Sequence, residues 1–211
     1  MLAKVLMSHI LKTEADLRAL YGEKSPRAEK KVLGHLDKHC RSFIARSPFL
    51  TLATSSSAHG ADCSPKGDAP GFVRVLDDQH LAIPDRPGNN RIDSPVNILE
   101  NPQVGVLFII PGVKETLRVN GEAVISVDPE LLETMAVNGK LPRSAIVITV
   151  REAYIHCAKS LMRSDLWNPE KHLDRKELAS MGQILADHIG DNLDAEAYDA
   201  TMDSRYQATL Y

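Results

Sequence analysis

Cysteine is scarce in this sequence: Cys40, Cys63 and Cys157 are an odd set at wide spacing with no CxxC pair. That excludes a disulfide framework and a thiolate zinc site, and it fits a reducing cytoplasm. Long apolar runs are missing as well. Nowhere do about eighteen apolar residues follow one another, so no membrane-spanning helix is expected. The opening stretch MLAKVLMSHILKTEADLRAL is interrupted by Lys4, His9 and Lys12 and lacks a small-residue cleavage site. It reads as an amphipathic helix, not a signal peptide. Charge of one sign is lacking too: a net charge of −3 provides neither a basic field for nucleic acid nor an acidic tail, so an anion must be captured locally. No Walker A loop, GxGxxG or GxSxG occurs, which argues against nucleoside triphosphate, Rossmann and serine-hydrolase chemistry. The histidines are scattered. His35 and His39 lie at i, i+4 without a third ligand, so no metal is expected.

What is present is a globular composition, 43% hydrophobic and 25% charged over 211 residues, enough for a core without covalent staples. Before Phe49 the pattern is helical. Leu33, Leu36 and Phe43 recur at helical spacing, with Ser25 as N-cap and Pro26 at the first helical position. From Phe49 onward the chain becomes short β-branched runs punctuated by Gly, Pro, Asn and Asp. These are FLTLATSS, a segment around DCSPKGD, FVRVLDD, HLAIPD, QVGVLFII, ETLRVNGEAVISV and, later, SAIVITVREAYIHC. Six or seven strands joined mostly by short turns suggest an antiparallel barrel, with the uniformly apolar QVGVLFII placed centrally. Two short helices interrupt them: VNILE, with Ser94 as N-cap and Pro95 as N1, and DPELLETMAVNGK, capped by Asp128 over Pro129. After Cys157 helix returns, most clearly in ELASMGQILADHIG. The organisation is a helical segment 1–48 packing on a barrel core 49–157, completed by a helical segment 158–211.

Four clusters can carry chemistry. PDRPGNNR bends a strand into a helix start, where free N–H groups beside Arg86, Arg91 and the Ser94 hydroxyl suit a phosphate. A capped surface helix with solvated arginines explains the same residues. In SPKGD, Ser64 and Lys66 precede a turn, and Lys66 supplies either a second charge to an anion or an ordinary exposed lysine. In LRVNG, Thr116, Arg118 and Asn120 share a strand face that is either a polar pocket or the outside of the barrel. In HCAKSLMRSDLW, His156 and Cys157 are adjacent on a strand and point to opposite faces, so they form no nucleophile and base pair. Cys157 is expected to be buried packing. Lys159, Arg163 and Trp167 could close over an anionic aromatic ligand.

SPKGD, PDRPGNNR, ENPQVGVLF and LRVNG occur in this order within residues 49–127, with HCAKSLMRSDLWNP extending the match. Together they resemble the pyridoxamine 5′-phosphate oxidase-like flavoproteins, in particular the subgroup of FMN-dependent enzymes. The resemblance implies a mainly β fold with flanking helices, an antiparallel split β-barrel of the FMN-binding type that forms a homodimer with FMN at the interface. It implies that Asn90, Arg91, Ser94 and Asn97 hold the phosphate and that Lys66, with Ser64, faces the flavin. Thr116 and Arg118 then lie beneath the ring, and Lys159, Arg163 and Trp167 reach it from the partner subunit. The implied activity is an FMN-dependent oxidoreduction of a small-molecule substrate, with a nicotinamide as electron donor. The alternative is a non-catalytic barrel that stores or senses flavin or haem, and a deazaflavin is a further variant. The chain departs from the oxidase pattern: Ala61 stands where the hairpin arginine would precede Lys66, Asp93-Ser94-Pro95 replaces Ser-Arg-Lys-Ala, and the last residues are RYQATLY. FMN binding is therefore implied without oxidation of vitamin B6 phosphates.

Overall fold

The computed structural model describes residues 9–190 and 193–211. The first eight residues of the N-terminal amphipathic helix expected above lie outside the described residues. The chain divides into two compact units, one ending at Val32 and one running from Leu33 to Tyr211. In the first, α1 (Glu14–Tyr21) begins with a capping box, in which the Thr13 hydroxyl accepts from Asp16 N and the Asp16 side chain accepts from Thr13 N. α2 (Pro26–Lys30) starts as expected, with Ser25 as its cap.

The second unit opens with a correction. The helical pattern expected across residues 25–46 is broken, because Leu33 and Ala153 exchange backbone hydrogen bonds of 3.0 and 2.7 Å. That bridge pulls the chain into an extended path, and a separate helix α3 (Lys38–Ile44) begins at Asp37, whose carboxylate accepts from His39 N and Cys40 N. His35 therefore precedes the helix that carries His39, and the two do not share a helical face. Leu36, Cys40 and Ile44 enter the core.

Seven strands follow: β1 (Phe49–Ser56), β2 (Gly60–Gly67), β3 (Arg74–Val75), β4 (His80–Asp85), β5 (Gln103–Ile109), β6 (Thr116–Ser126) and β7 (Ser144–His156). They form one antiparallel sheet in the order β2-β1-β5-β6-β7-β4-β3. This is the split barrel: mainly β, antiparallel, open between β2 and the β3–β4 end of the sheet, with helices around it. The strand expected over FVRVLDD shrinks to two residues. Asp77 ends it by accepting from the backbone N–H groups of Gln79 and His80, which makes a turn.

One face of the sheet is the core. Leu50, Phe108 and Leu117 are cross-strand partners in one row and all fully buried. Alternation then sends Thr51, Leu107 and Arg118, the next row, to the other face. Between β6 and β7 the register shifts at Asn120/Gly121. A Cβ on Gly121 would lie 2.2 Å from the Thr149 carbonyl oxygen, so only glycine fits this bulge.

Two helices cross the barrel. α4 (Asp93–Glu100) packs on β1, and α5 (Pro129–Glu133) carries the expected Asp128 cap and buries Leu132. Beyond β7 come α6 (Lys159–Ser164), 3-10 turns at Pro169–Lys171 and Arg175–Glu177, α7 (Met181–Ile189) and α8 (Ala195–Thr209). Cys157 is a further correction: it is exposed, because it follows the last rung of the sheet, Thr116 with His156.

Candidate functional site

The split in the barrel is the site. β2 and β4 are separated by four strands in the sheet, yet Lys66 Nζ on β2 lies 2.8 Å from Asp85 Oδ1 on β4. Next to them Arg86 Nε lies 2.8 Å from Asp68 Oδ2. The sheet must therefore curl until its ends meet, and side-chain ion pairs span a seam that no backbone ladder closes. Between them opens a cleft of ≈ 720 Å³, walled by Pro65 and Phe72 on one side and by the 84–95 loop on the other. That volume lies within the range of small-molecule pockets, about 300 to 1,000 Å³.

The loop's residues explain its course. Pro84 and Pro87 fix φ, and Asn90 takes φ 59°, a left-handed conformation that asparagine tolerates. Ile92 takes φ 54°, which is costly for a β-branched side chain. It is the N-cap of α4, and no side chain caps that helix. Ser94 is the cap expected from the sequence, but α4 begins two residues earlier, at Asp93. The Ser94 hydroxyl turns inward to Ser64 Oγ at 3.1 Å and Asp62 Oδ2 at 3.4 Å, tying the helix to β2.

Of the residues singled out in the sequence, Ser64, Lys66, Asn90, Arg91 and Ser94 line this one cleft. Lys66 is four-fifths buried and sits on a strand, not in an exposed turn. Arg91 stands at the rim, its side chain 73% exposed and its Nε 2.8 Å from Asp93. Asn97 lies one helical turn further along, on the buried face of α4. Its Nδ2 donates to Thr54 Oγ1 at 3.1 Å, and its buried Oδ1 has no partner among the described residues.

Thr116 and Arg118 are not in the cleft. Lys66 shares the core-facing row of Leu50, Phe108 and Leu117, whereas Arg118 pairs with Leu107 and Tyr154 on the opposite face. There its guanidinium donates to the Tyr154 hydroxyl at 3.0 Å and sits 5.7 Å from the ring centroid. This resolves the alternatives left open for that strand in favour of the outside of the barrel. Lys159 and Arg163 are exposed on α6, and the Trp167 indole donates to the Val113 carbonyl at 2.9 Å.

Sequence reasoning missed three contributors. Asp68 and Asp85 provide the carboxylates of the seam. Arg143 stands at the start of β7, where its N–H donates to the Asp85 carbonyl at 3.3 Å and its guanidinium to Asn90 Oδ1 at 2.7 Å. Only the pairing of Asp85 with Ser144 brings it here, and strand order is not readable from residue types.

Tyr211 closes one side. Its hydroxyl donates to Asp68 Oδ1 at 2.7 Å, and the Arg86 guanidinium lies 5.4 Å from its ring centroid. Burial alone would raise the Asp68 carboxyl, but the Tyr211 hydroxyl, the Ala69 N–H and Arg86 together hold it below its ordinary 3.8. Arg86 therefore has an ionised partner across the neutral range.

The cleft lining carries Lys66, Arg86, Arg91 and Arg143 against Asp85 and Asp93. This excess of cations, beside hydroxyl and amide donors and an aromatic wall at Phe72, fits a ligand with a phosphate at one end and a flat ring at the other. Among the described residues the lining includes no imidazole, thiol or thioether, and the neighbouring Tyr211 phenol is engaged with Asp68.

Among solved structures, HupZ of Group A Streptococcus is 16% identical, with 56% of this chain and 92% of that chain covered at a TM-score of 0.46. General stress protein 26 of Bacillus anthracis str. Sterne is 20% identical over 55% of this chain and 88% of that chain, at 0.42. An FMN-binding protein of Syntrophomonas wolfei subsp. wolfei is 11% identical over 56% and 88%, also at 0.42. No curated protein matches the chain. The family model described as pyridoxamine 5′-phosphate oxidase matches residues 36–157, more than half of the sequence and all seven strands. The chain belongs to the pyridoxamine 5′-phosphate oxidase family.

Proposed function

We propose that the protein is an FMN-dependent oxidoreductase acting on a small-molecule substrate, with a nicotinamide as electron donor. The observation that carries this reading is the cation-rich cleft in the barrel's split, in a member of this family. Ser64, Asn90, Arg91 and Ser94 would hold the flavin phosphate, and Lys66 would face the ring system. When bound, FMN supplies the hydride and electron chemistry. The protein's part is then to bind, orient and shield, and no side chain need act as general acid or base.

The protein would work as a cytoplasmic homodimer. Phe49, Leu107 and Ile109 lie partly or wholly exposed on the outer face of the sheet, alongside Thr116 and Arg118. Covering that face with a second copy would bury apolar surface, and would let Thr116, Arg118, Lys159, Arg163 and Trp167 of one protomer approach the flavin of the other. Among the described residues no helix is long and apolar enough to cross a membrane.

The test is a visible spectrum of the purified protein together with the mass of the small molecule it releases. A flavin spectrum that bleaches with a nicotinamide donor and recovers with a second substrate supports the enzyme. A Soret band, or a flavin that never turns over, refutes it in favour of a storage or sensing protein.

A further inference from the structure

We infer that Arg143, which no motif of the sequence marks, is the principal anion-binding residue of the cleft and receives the phosphate monoester of the flavin. The inference rests on the flavin reading above and adds to it the residue on which recognition of the phosphate depends.

Four cations line the cleft, and three of them are committed. Lys66 lies 2.8 Å from Asp85, Arg86 2.8 Å from Asp68 and Arg91 2.8 Å from Asp93. Each pair is close to electrically neutral when seen by a ligand a few ångströms away. Among the described residues Arg143 makes no ion pair, and the one hydrogen bond of its guanidinium goes to a neutral acceptor, Asn90 Oδ1, at 2.7 Å. Its positive charge is therefore uncompensated. Of the five N–H donors of its guanidinium, one is used to orient the group and the rest remain for a ligand.

Its main chain is tied to the sheet, whereas Arg91 lies on a loop. The Arg143 N–H donates to the Asp85 carbonyl, and Asp85 pairs with Ser144 in the first rung of the β4–β7 ladder. A side chain projecting from a sheet end and steered by Asn90 loses less freedom on binding than one on a loop. The planar fork matches two phosphate oxygens at once, which a lysine does not. The Asn90 contact also links Arg143 to the loop already assigned to the phosphate, so one anion can touch that loop and the start of β7 together.

The experiment compares FMN with riboflavin, which lacks the phosphate, on the parent protein and on Arg143→Ala, Arg143→Lys and Arg91→Ala. Arg143→Ala is expected to weaken FMN by about tenfold or more, with riboflavin affinity and the thermal unfolding midpoint unchanged. Arg143→Lys restores part of the loss, and Arg91→Ala costs less than about threefold because its charge is paired with Asp93. FMN affinity unchanged in Arg143→Ala overturns the inference, as does an equal loss of FMN and riboflavin.

If the parent binds neither flavin, the flavin reading fails and the role of Arg143 is decided separately with inorganic phosphate. Broadening of the phosphorus resonance by the parent and not by Arg143→Ala upholds the anion site. Equal broadening, or none, overturns it.

Discussion

Asp85→Asn tests the electrostatics of the cleft in a direction that intuition about lost salt bridges does not give. Asp85 holds Lys66 at 2.8 Å, with the two side chains 22% and 20% exposed. Removing the carboxylate charge costs the fold an ion pair, but it also removes a negative charge from the wall that faces the ligand. With Asp68 counted against Arg86, four cations face three carboxylates, and the substitution raises the net charge at the cleft from +1 to +2. For a phosphate about 7 Å from Asp85 at an effective dielectric of about 20, Coulomb's law gives roughly 2.4 kcal/mol per unit charge. Solvent in the open cleft and salt reduce this to about 1 kcal/mol, or roughly a fivefold tighter Kd for FMN. The same substitution should lower the unfolding midpoint by about 3 to 6 °C, the equivalent of about 1.5 kcal/mol in a chain of this length. Fluorescence titration with FMN at two ionic strengths, paired with thermal melts, reads both effects. The gain in affinity should shrink as salt is raised. A folded Asp85→Asn protein that binds FMN no better than the parent at low salt would refute the electrostatic reasoning.

Gly121→Ala should destabilise the protein by about 1 to 3 kcal/mol, because its Cβ would meet the Thr149 carbonyl at 2.2 Å; denaturant unfolding measures this, and an unchanged midpoint would contradict the bulge. Tyr211→Phe removes a donor to Asp68, whose folded carboxyl lies below its ordinary 3.8. A depressed pKa contributes stability above the unfolded value and loses it as pH falls through the folded one. The variant should therefore melt lower than the parent near neutral pH, by about 1 kcal/mol, and the difference should vanish once acid has protonated Asp68 in the folded state. A deficit that persists in strong acid would argue for lost packing instead. Thiol reagents should label Cys63 and Cys157 within the native protein and spare Cys40, whose thiol burial and the Asp37 carboxylate push up to about 11; rapid labelling at Cys40, read by peptide mass, would contradict that placement.

The strands were legible because their signals are local. FLTLATSS, HLAIPD and QVGVLFII carry β-branched and apolar runs between turn formers, and β1, β4 and β5 fall on them almost residue for residue. The caps at Ser25 and Asp128 were readable for the same reason. Errors arose where a distant partner overrides the local pattern. Leu33 fits a helical periodicity until Ala153 pairs with its backbone, and Ser94 looks like a cap until Ser64 and Asp62 offer its hydroxyl a partner inside the fold. The cleft was half legible. Ser64, Lys66, Asn90, Arg91 and Ser94 gather there, but their charge balance depends on Asp68, Asp85 and Arg143. Those three arrive through strand order and register, which residue types do not encode. The resemblance supplied Thr116 and Arg118 as neighbours of one ligand, and within one protomer the alternation of β6 places them on the opposite face from Lys66.

Diffraction from crystals grown with excess FMN tests the central claim most directly. The phosphate is expected in the seam between β2 and β4, within hydrogen-bonding distance of Arg143, with the ring extending toward Phe72 and Lys66. Electron density for the flavin at any other place, or a seam still bridged and empty at saturating FMN, would contradict it.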